Sequence, residues 1–201
     1  SCSSQKNANV NNGGGFVAPG LSAGLLSISG DYSQAVDGTL SIELGGTDNT
    51  DPLNLQYDRI VMEGFAMLDG TLDVSLLDDG SGSFVPQQGN SFGFLSATGG
   101  FAGMFSILNL PELSPGLAWQ INPGGTTVFL NVVAAIPGDY NNDHIVDAAD
   151  YSLWRDTLGQ SGIGLAADGD SSGVIDAADY GVWKTNFGMS LPPTASAANV
   201  A

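Results

Sequence analysis

The sequence predicts a mainly β body, a β-sandwich or a short β-solenoid, followed by a small α domain made of two loop–helix units. Three observations predict it. Between residues 21 and 136, apolar stretches of four to eight residues alternate with Gly, Asp, Asn or Pro, at the 8–12-residue spacing of all-β folds. The segment Asp37–Leu44 (DGTLSIEL) returns 32 residues later as Asp69–Leu76 (DGTLDVSL). Over residues 138–188, two acidic segments of matching pattern repeat at an offset of 29.

Composition sets the frame. The chain has 201 residues, 42% hydrophobic and only 12% charged, with 21 acidic and 4 basic residues and a net charge of −17. A field of that sign repels nucleic acid and anionic lipid and attracts cations, so no nucleic-acid partner is expected. Residues 138–188 carry nine acids and two bases, a denser charge than the twelve acids and two bases of residues 1–137. No apolar run reaches the roughly 18 residues of a membrane span. A basic segment followed by an apolar one is also missing, so any signal peptide is expected to have been removed. The single cysteine, Cys2, cannot close an intrachain disulfide; it reads as inert, as an intermolecular bridge or as a lipid attachment point.

Residues 1–20 (SCSSQKNANVNNGGGFVAPG) are polar and Gly-rich without a period, which predicts a flexible or assembly arm, disordered in an isolated monomer. If held by another copy, Phe16-Val17 and Leu25–Ile28 would add as a strand to a neighbour's sheet edge, the start of a filament. Strands are predicted over residues 25–29, 39–44, 59–63, 71–77, 92–96, 104–108 and 126–133. In the echoed pair, a turn dipeptide feeds an alternating strand that places Leu40, Ile42 and Leu44, then Leu72, Val74 and Leu76, on one face. A 32-residue period suits a solenoid rung or a repeated hairpin. Residues 28–133, with GDYSQAVDGTLSIELGG and YDRIVMEGFAMLDGTLDVSLL, loosely resemble the β-rich scaffold segments of large secreted and autotransporter-like bacterial surface proteins. A boundary is expected at Ala135–Gly138, and residues 189–201 read as a Pro/Ala/Ser tail.

The chemistry concentrates in residues 137–188. GDYNNDHIVDAADYSLWRDTLG from Gly138 aligns with ADGDSSGVIDAADYGVWKTNFG from Ala167. Oxygen-bearing side chains fall at loop positions 1, 3, 5, 9 and 12: Asp139, Asn141, Asp143, Asp147 and Asp150, then Asp168, Asp170, Ser172, Asp176 and Asp179. Position 7, Ile145 or Val174, would add its backbone carbonyl while its side chain turns inward and joins the loops. Six to eight oxygens at this spacing suit a hard divalent cation. Each loop gathers four carboxylates whose repulsion a cation would reverse. Two Ca²⁺ ions are expected. Position 6 of such a loop turns sharply and prefers Gly; the second loop has Gly173, the first His144. Helices are predicted over about 149–158 and 178–187, ended by Gly159 and Gly188. Tyr151, Leu153, Trp154 and Leu158, with Tyr180, Val182, Trp183 and Phe187, would form their small core.

This tandem resembles the dockerin module, in which two calcium-loaded loop–helix units dock onto a cohesin partner. The resemblance covers residues 138–188. It implies that partner choice is read at loop positions 10 and 11 and along the helix, here Ala148, Ala149 and Arg155 with Ala177, Ala178 and Lys184. Either half could present the same face; alternatively the alanines merely start helices well.

Enzyme signatures are weak. Gly20–Gly24 matches G-x-S-x-G around Ser22, but a strand follows and the only histidine, His144, lies in a cation loop. Asp48 and Asp51, or Asp78 and Asp79, sit in turn-forming surroundings, and Tyr57, Phe101 and Trp119 could offer a sugar platform. The sequence therefore predicts a non-catalytic secreted, extracellular or cell-surface protein for attachment or assembly. Its partner would be a cohesin-like domain or other copies of itself, as a homo-oligomer or filament. The alternative is a carbohydrate-binding or scaffold-attached component of a polysaccharide-degrading complex.

Overall fold

The computed structural model describes residues 3–6, 8–51, 54–78, 80, 82–162 and 164–191. Cys2, Asp79 and residues 192–201 of the expected tail lie outside the described residues. Among the described residues the chain divides into two compact units, one formed by residues up to 114 and 119–133, the other by 115–118 and 134–191.

The first unit is mainly β, and its strands wind as four coils that each contribute one strand to three sheets. The coils are β1 Ser3–Lys6, β2 Val10–Asn12 and β3 Phe16–Val17; β4 Leu25–Ile28, β5 Tyr32–Gln34 and β6 Thr39–Leu44; β7 Arg59–Met62, β8 Ala66–Leu68 and β9 Thr71–Leu76; and β10 Ser91–Ala97, β11 Phe101–Gly103 and β12 Ile107–Asn109. Strands stack in parallel on the coil before and after. Two further strands, β13 Leu117–Gly124 and β14 Thr127–Ala134, follow, and β14 covers the free edge of β10 antiparallel.

Of the two architectures the sequence left open, this is the solenoid. The echoed segments are its consecutive rungs: β6 lies on β9 with Thr39 opposite Thr71 through Leu44 opposite Leu76. Alternation sends Leu40, Ile42, Leu44, Leu72 and Val74 into the interior, where all are buried. Phe92 sits at the centre of an aromatic group, edge-on to Tyr57 with ring centres 5.4 Å apart and to Phe84 at 6.1 Å. Tyr57 is buried, and Trp119 packs 6.1 Å from Phe92 with its indole N–H on the Pro111 carbonyl, so both rings pack into the core. Corners are tight. At one of them Gly30, Gly64 and Gly99 stack on successive coils, and a Cβ on Gly99 would lie 2.8 Å from the Gly64 backbone.

The segment expected as an arm is instead the first coil. Its strands pair within the chain, β1 on β4, β2 on β5 and β3 on β6. Leu25–Ile28, expected at an intermolecular edge, is flanked on both sides by β1 and β7. Side-chain amides at the second strand of this coil and of the next make a run of hydrogen bonds. Asn12 is buried and donates to the Thr39 carbonyl at 3.0 Å, beneath a buried Gln34 that donates to the carbonyls of Asp69 and Thr71 and accepts the Tyr32 hydroxyl. A buried amide so satisfied costs little, whereas an unpaired one would cost about 1–3 kcal/mol. Predicted residues 104–106 are not strand; β12 begins at Ile107.

Asp58 is fully buried, its two carboxylate oxygens accepting N–H groups from Gly24 at 2.7 Å and Glu43 at 2.9 Å. Burial outweighs these bonds and pushes its pKa up to about 7. No described helix is long and apolar enough to cross a membrane.

A candidate cation-binding pair of loops

The second unit holds both helices, α1 Ala148–Thr157 and α2 Ala177–Asn186. Each begins on a capping box. Asp147 and Asp176 are the N-caps, accepting from Ala149 N and Ala178 N at 2.7 Å, while Asp150 and Asp179 reach back to the N-cap N–H at 2.8 and 2.7 Å. Loop positions 9 and 12 thus have a helix-starting role of their own. Gly159 and Gly188 follow the C-caps with φ of 85° and 86°, the left-handed conformation that ends a helix.

In the first loop, Asp139 accepts the N–H groups of Asp143 at 3.2 Å and His144 at 2.9 Å. Asn141 Oδ1 accepts from Asp143 N, and Asn141 Nδ2 donates to Asp143 Oδ2 at 2.9 Å. Asp143 in turn accepts from Ile145 N, and buried Asp150 accepts from Tyr140 N and Asn141 N. The second loop repeats this with its own residues: Asp168 accepts from Ser172 N and Gly173 N, Asp170 from Ser172 N, and buried Asp179 from Asp170 N. Ser172 Oγ donates to the Val174 carbonyl at 3.1 Å. Position 6 is left-handed in both loops, at φ 71° for His144 and 82° for Gly173. The first loop therefore carries a side chain where glycine is favoured.

Carboxylate oxygens of Asp168, Asp170 and Asp179 lie within 4.8 Å of one another. In the first loop, burial pushes the Asp139 carboxyl above its ordinary value, helped by the nearby negative charges of Asp150 and Asp143. Both sets are oxygen-only and acidic, with turns of the required hand. Among the described residues only the second loop gathers three carboxylates this closely; its donor set, Asp168, Asp170, Ser172 and Asp179, is of the type that suits a hard cation, and the first loop offers Asp139, Asn141, Asp143 and Asp150 at the same positions.

Position 7 departs from expectation. Ile145 and Val174 have side chains 47% and 41% exposed and do not join the loops. The buried residues are their successors, Val146 and Ile175, because in an extended segment a one-residue step changes the side that faces inward. Leu158 and Phe187 are likewise exposed rather than in the core. The core consists of Tyr140, Ala167 and Ile175 with Leu153, Trp154, Leu165 and Trp183 packed against them. Tyr151 and Tyr180 complete the aromatic cluster, their ring centres 6.1 Å apart.

Two residues central to this packing escape a motif reading. Tyr140, at loop position 2, donates its hydroxyl to the Asp179 carbonyl at 2.6 Å, and the equivalent place in the second loop is Gly169. A Cβ on Gly169 would stand 2.5 Å from that phenol oxygen, so the glycine makes room for the tyrosine. The only signal in the sequence was the mismatch of Tyr and Gly at equivalent positions.

Ala148, Ala149, Ala177 and Ala178 are exposed on the first turns of the helices, and Arg155 and Lys184 are exposed further along. The two faces are not identical in charge. Arg155 is tied to its neighbour Asp156 at 2.7 Å, and the position equivalent to Asp156 is Thr185, so Lys184 has no such partner. Elsewhere, Ser22 is followed by β4 and not by a helix, Asp48 accepts from Thr50, and Asp78 accepts from Gly80 N and Gly82 N, all within turns. No protein family matches the chain, and no curated protein matches it.

Proposed function

We propose that this chain is a non-catalytic attachment or assembly protein of the cell surface or extracellular space, in which a β-solenoid scaffold is joined to a dockerin-like unit that binds two Ca²⁺ ions. The observation that carries the reading is the duplicated loop. At an offset of 29 residues the same oxygen-bearing positions, the same left-handed position 6 and the same capping box recur. In the second loop three carboxylates converge within 4.8 Å, a costly arrangement unless a cation offsets their repulsion. Capping alone accounts for positions 9 and 12; it gives no reason for an acid at position 1 of both loops or at position 3 of the second. The exposed Ala148, Ala149 and Arg155, with Ala177, Ala178 and Lys184, are the proposed docking surface for a cohesin-like domain or for further copies of the chain.

Electron microscopy and light scattering of the purified chain, with calcium and with chelator, test this reading together with capture by a cohesin domain. Calcium-dependent capture or polymerisation is expected. An identical monomer under both conditions that no cohesin retains would reject it. A second reading, carbohydrate binding, is favoured by a groove of about 410 Å³ on the solenoid lined by residues including Asp48, Asn49, Arg59, Thr127 and Phe129. Glycan-array binding lost in Arg59→Ala would move the assignment there.

A further inference from the structure

The 29-residue repeat in sequence is also a repeat of contacts that cross between the two halves of the second unit. Val146 donates to the Met189 carbonyl and accepts from Gly188 N, both at 2.8 Å. Ile175 does the same with the Gln160 carbonyl and Gly159 N, at 2.9 and 2.8 Å. The His144 carbonyl accepts from Leu191 N at 3.1 Å, and the Gly173 carbonyl accepts from Gly162 N at 3.0 Å. The chain trailing α2 therefore closes the first loop, and the chain trailing α1 closes the second. The indoles cross in the same sense. Trp154 donates to the Asp176 carbonyl at 2.8 Å and Trp183 to the Asp147 carbonyl at 2.7 Å, so each loop's position 9 is held by the other half's helix. Tyr140 adds a tie from the first loop to position 12 of the second, through its 2.6 Å bond to the Asp179 carbonyl.

We infer that the two loops are one coupled cation-binding device, in which filling either loop raises the affinity of the other. This deepens the calcium reading and rests on it. Ordering a loop fixes positions 8 and 9, and those backbones are bonded to the partner half's trailing segment and indole. The first ion thus bears part of the ordering cost that the second would otherwise meet, which is positive cooperativity without a change of fold. Because coupling of this kind is reciprocal, each loop must affect the other by the same factor.

Calcium titration of the full chain by calorimetry, with the fluorescence of Trp154 and Trp183 as a second readout, tests the coupling. The wild type is expected to bind two ions cooperatively. Asp168→Ala should bind one ion, in the first loop, with affinity lowered on the order of tenfold, and Asp139→Ala should weaken the second loop by the same factor. The double variant Trp154→Phe/Trp183→Phe keeps every carboxylate but removes both crossing N–H donors; it should bind two ions with the coupling reduced. Asp168→Ala and Asp139→Ala chains that each bind one ion at an undiminished affinity would overturn the inference. Should those variants fail to fold, a Trp double variant with wild-type coupling would overturn it instead. A wild type that binds no calcium rejects the underlying calcium reading, a result separable from the loss of coupling alone.

Discussion

At the residue scale, Gly169 and Asp58 make the sharpest demands on the fold. Gly169 has a single physical reason to be glycine, the Tyr140 phenol that a Cβ would meet at 2.5 Å. Gly169→Ala must push that ring off the Asp179 carbonyl, and it should destabilise the second unit by about 1–3 kcal/mol, the usual cost of overpacking. Tyr140→Phe in the same background should recover part of the loss, read from thermal melts. Asp58 sets a pH dependence in the other unit. Its folded pKa, about 7, lies above the ordinary 3.8, so the stability it supports is fully present below about pH 3.8 and is lost as pH rises through 7. The solenoid should be weaker at pH 8 than at pH 5. Asp58→Asn, which cannot titrate, should flatten that slope, as denaturant melts across pH would record.

At the scale of elements, what the sequence revealed depended on strand length and on which residues fill the interior. Thr39–Leu44 and Thr71–Leu76 were legible because six residues suffice to show alternation and a turn dipeptide precedes each. Strands such as Tyr32–Gln34, Ala66–Leu68 and Phe101–Gly103 are too short for any period to appear. The first coil was hidden for a further reason: Asn12 is its buried residue, and a polar interior position reads as loop until its hydrogen-bond partners are known. In the second unit both helices were legible, since a capping aspartate before each and a glycine after each mark their ends. The inward apolar residue was misplaced by one, to Ile145 and Val174, because the bonds that orient Val146 and Ile175 come from Met189 and Gln160, far away in sequence. Those bonds also bring residues 189–191 out of the expected tail. Truncation after Phe187 should therefore disable the first loop, reducing the calcium stoichiometry from two to one, which calorimetry would count.

At the scale of the whole molecule, the chain combines two modes of stability. The solenoid stacks coil on coil, with inward Leu, Ile and Val and satisfied Asn12 and Gln34. The second unit has a small apolar core, with Tyr140, Val146, Ala167 and Ile175 buried beside partly buried Leu153, Trp154 and Trp183, under a dense negative charge. On the proposed reading, few apolar contacts and clustered carboxylates would leave a large share of its stability to a cation. On the proposed reading two Ca²⁺ ions fold and hold this unit. Differential scanning calorimetry of the full chain in calcium and in chelator, paired with a calcium titration, tests this. Two bound ions are expected and, in chelator, a separate low-temperature transition for residues 134–191 while the solenoid transition stays in place. No heat of calcium binding, or melting curves that superimpose with and without chelator, would contradict it.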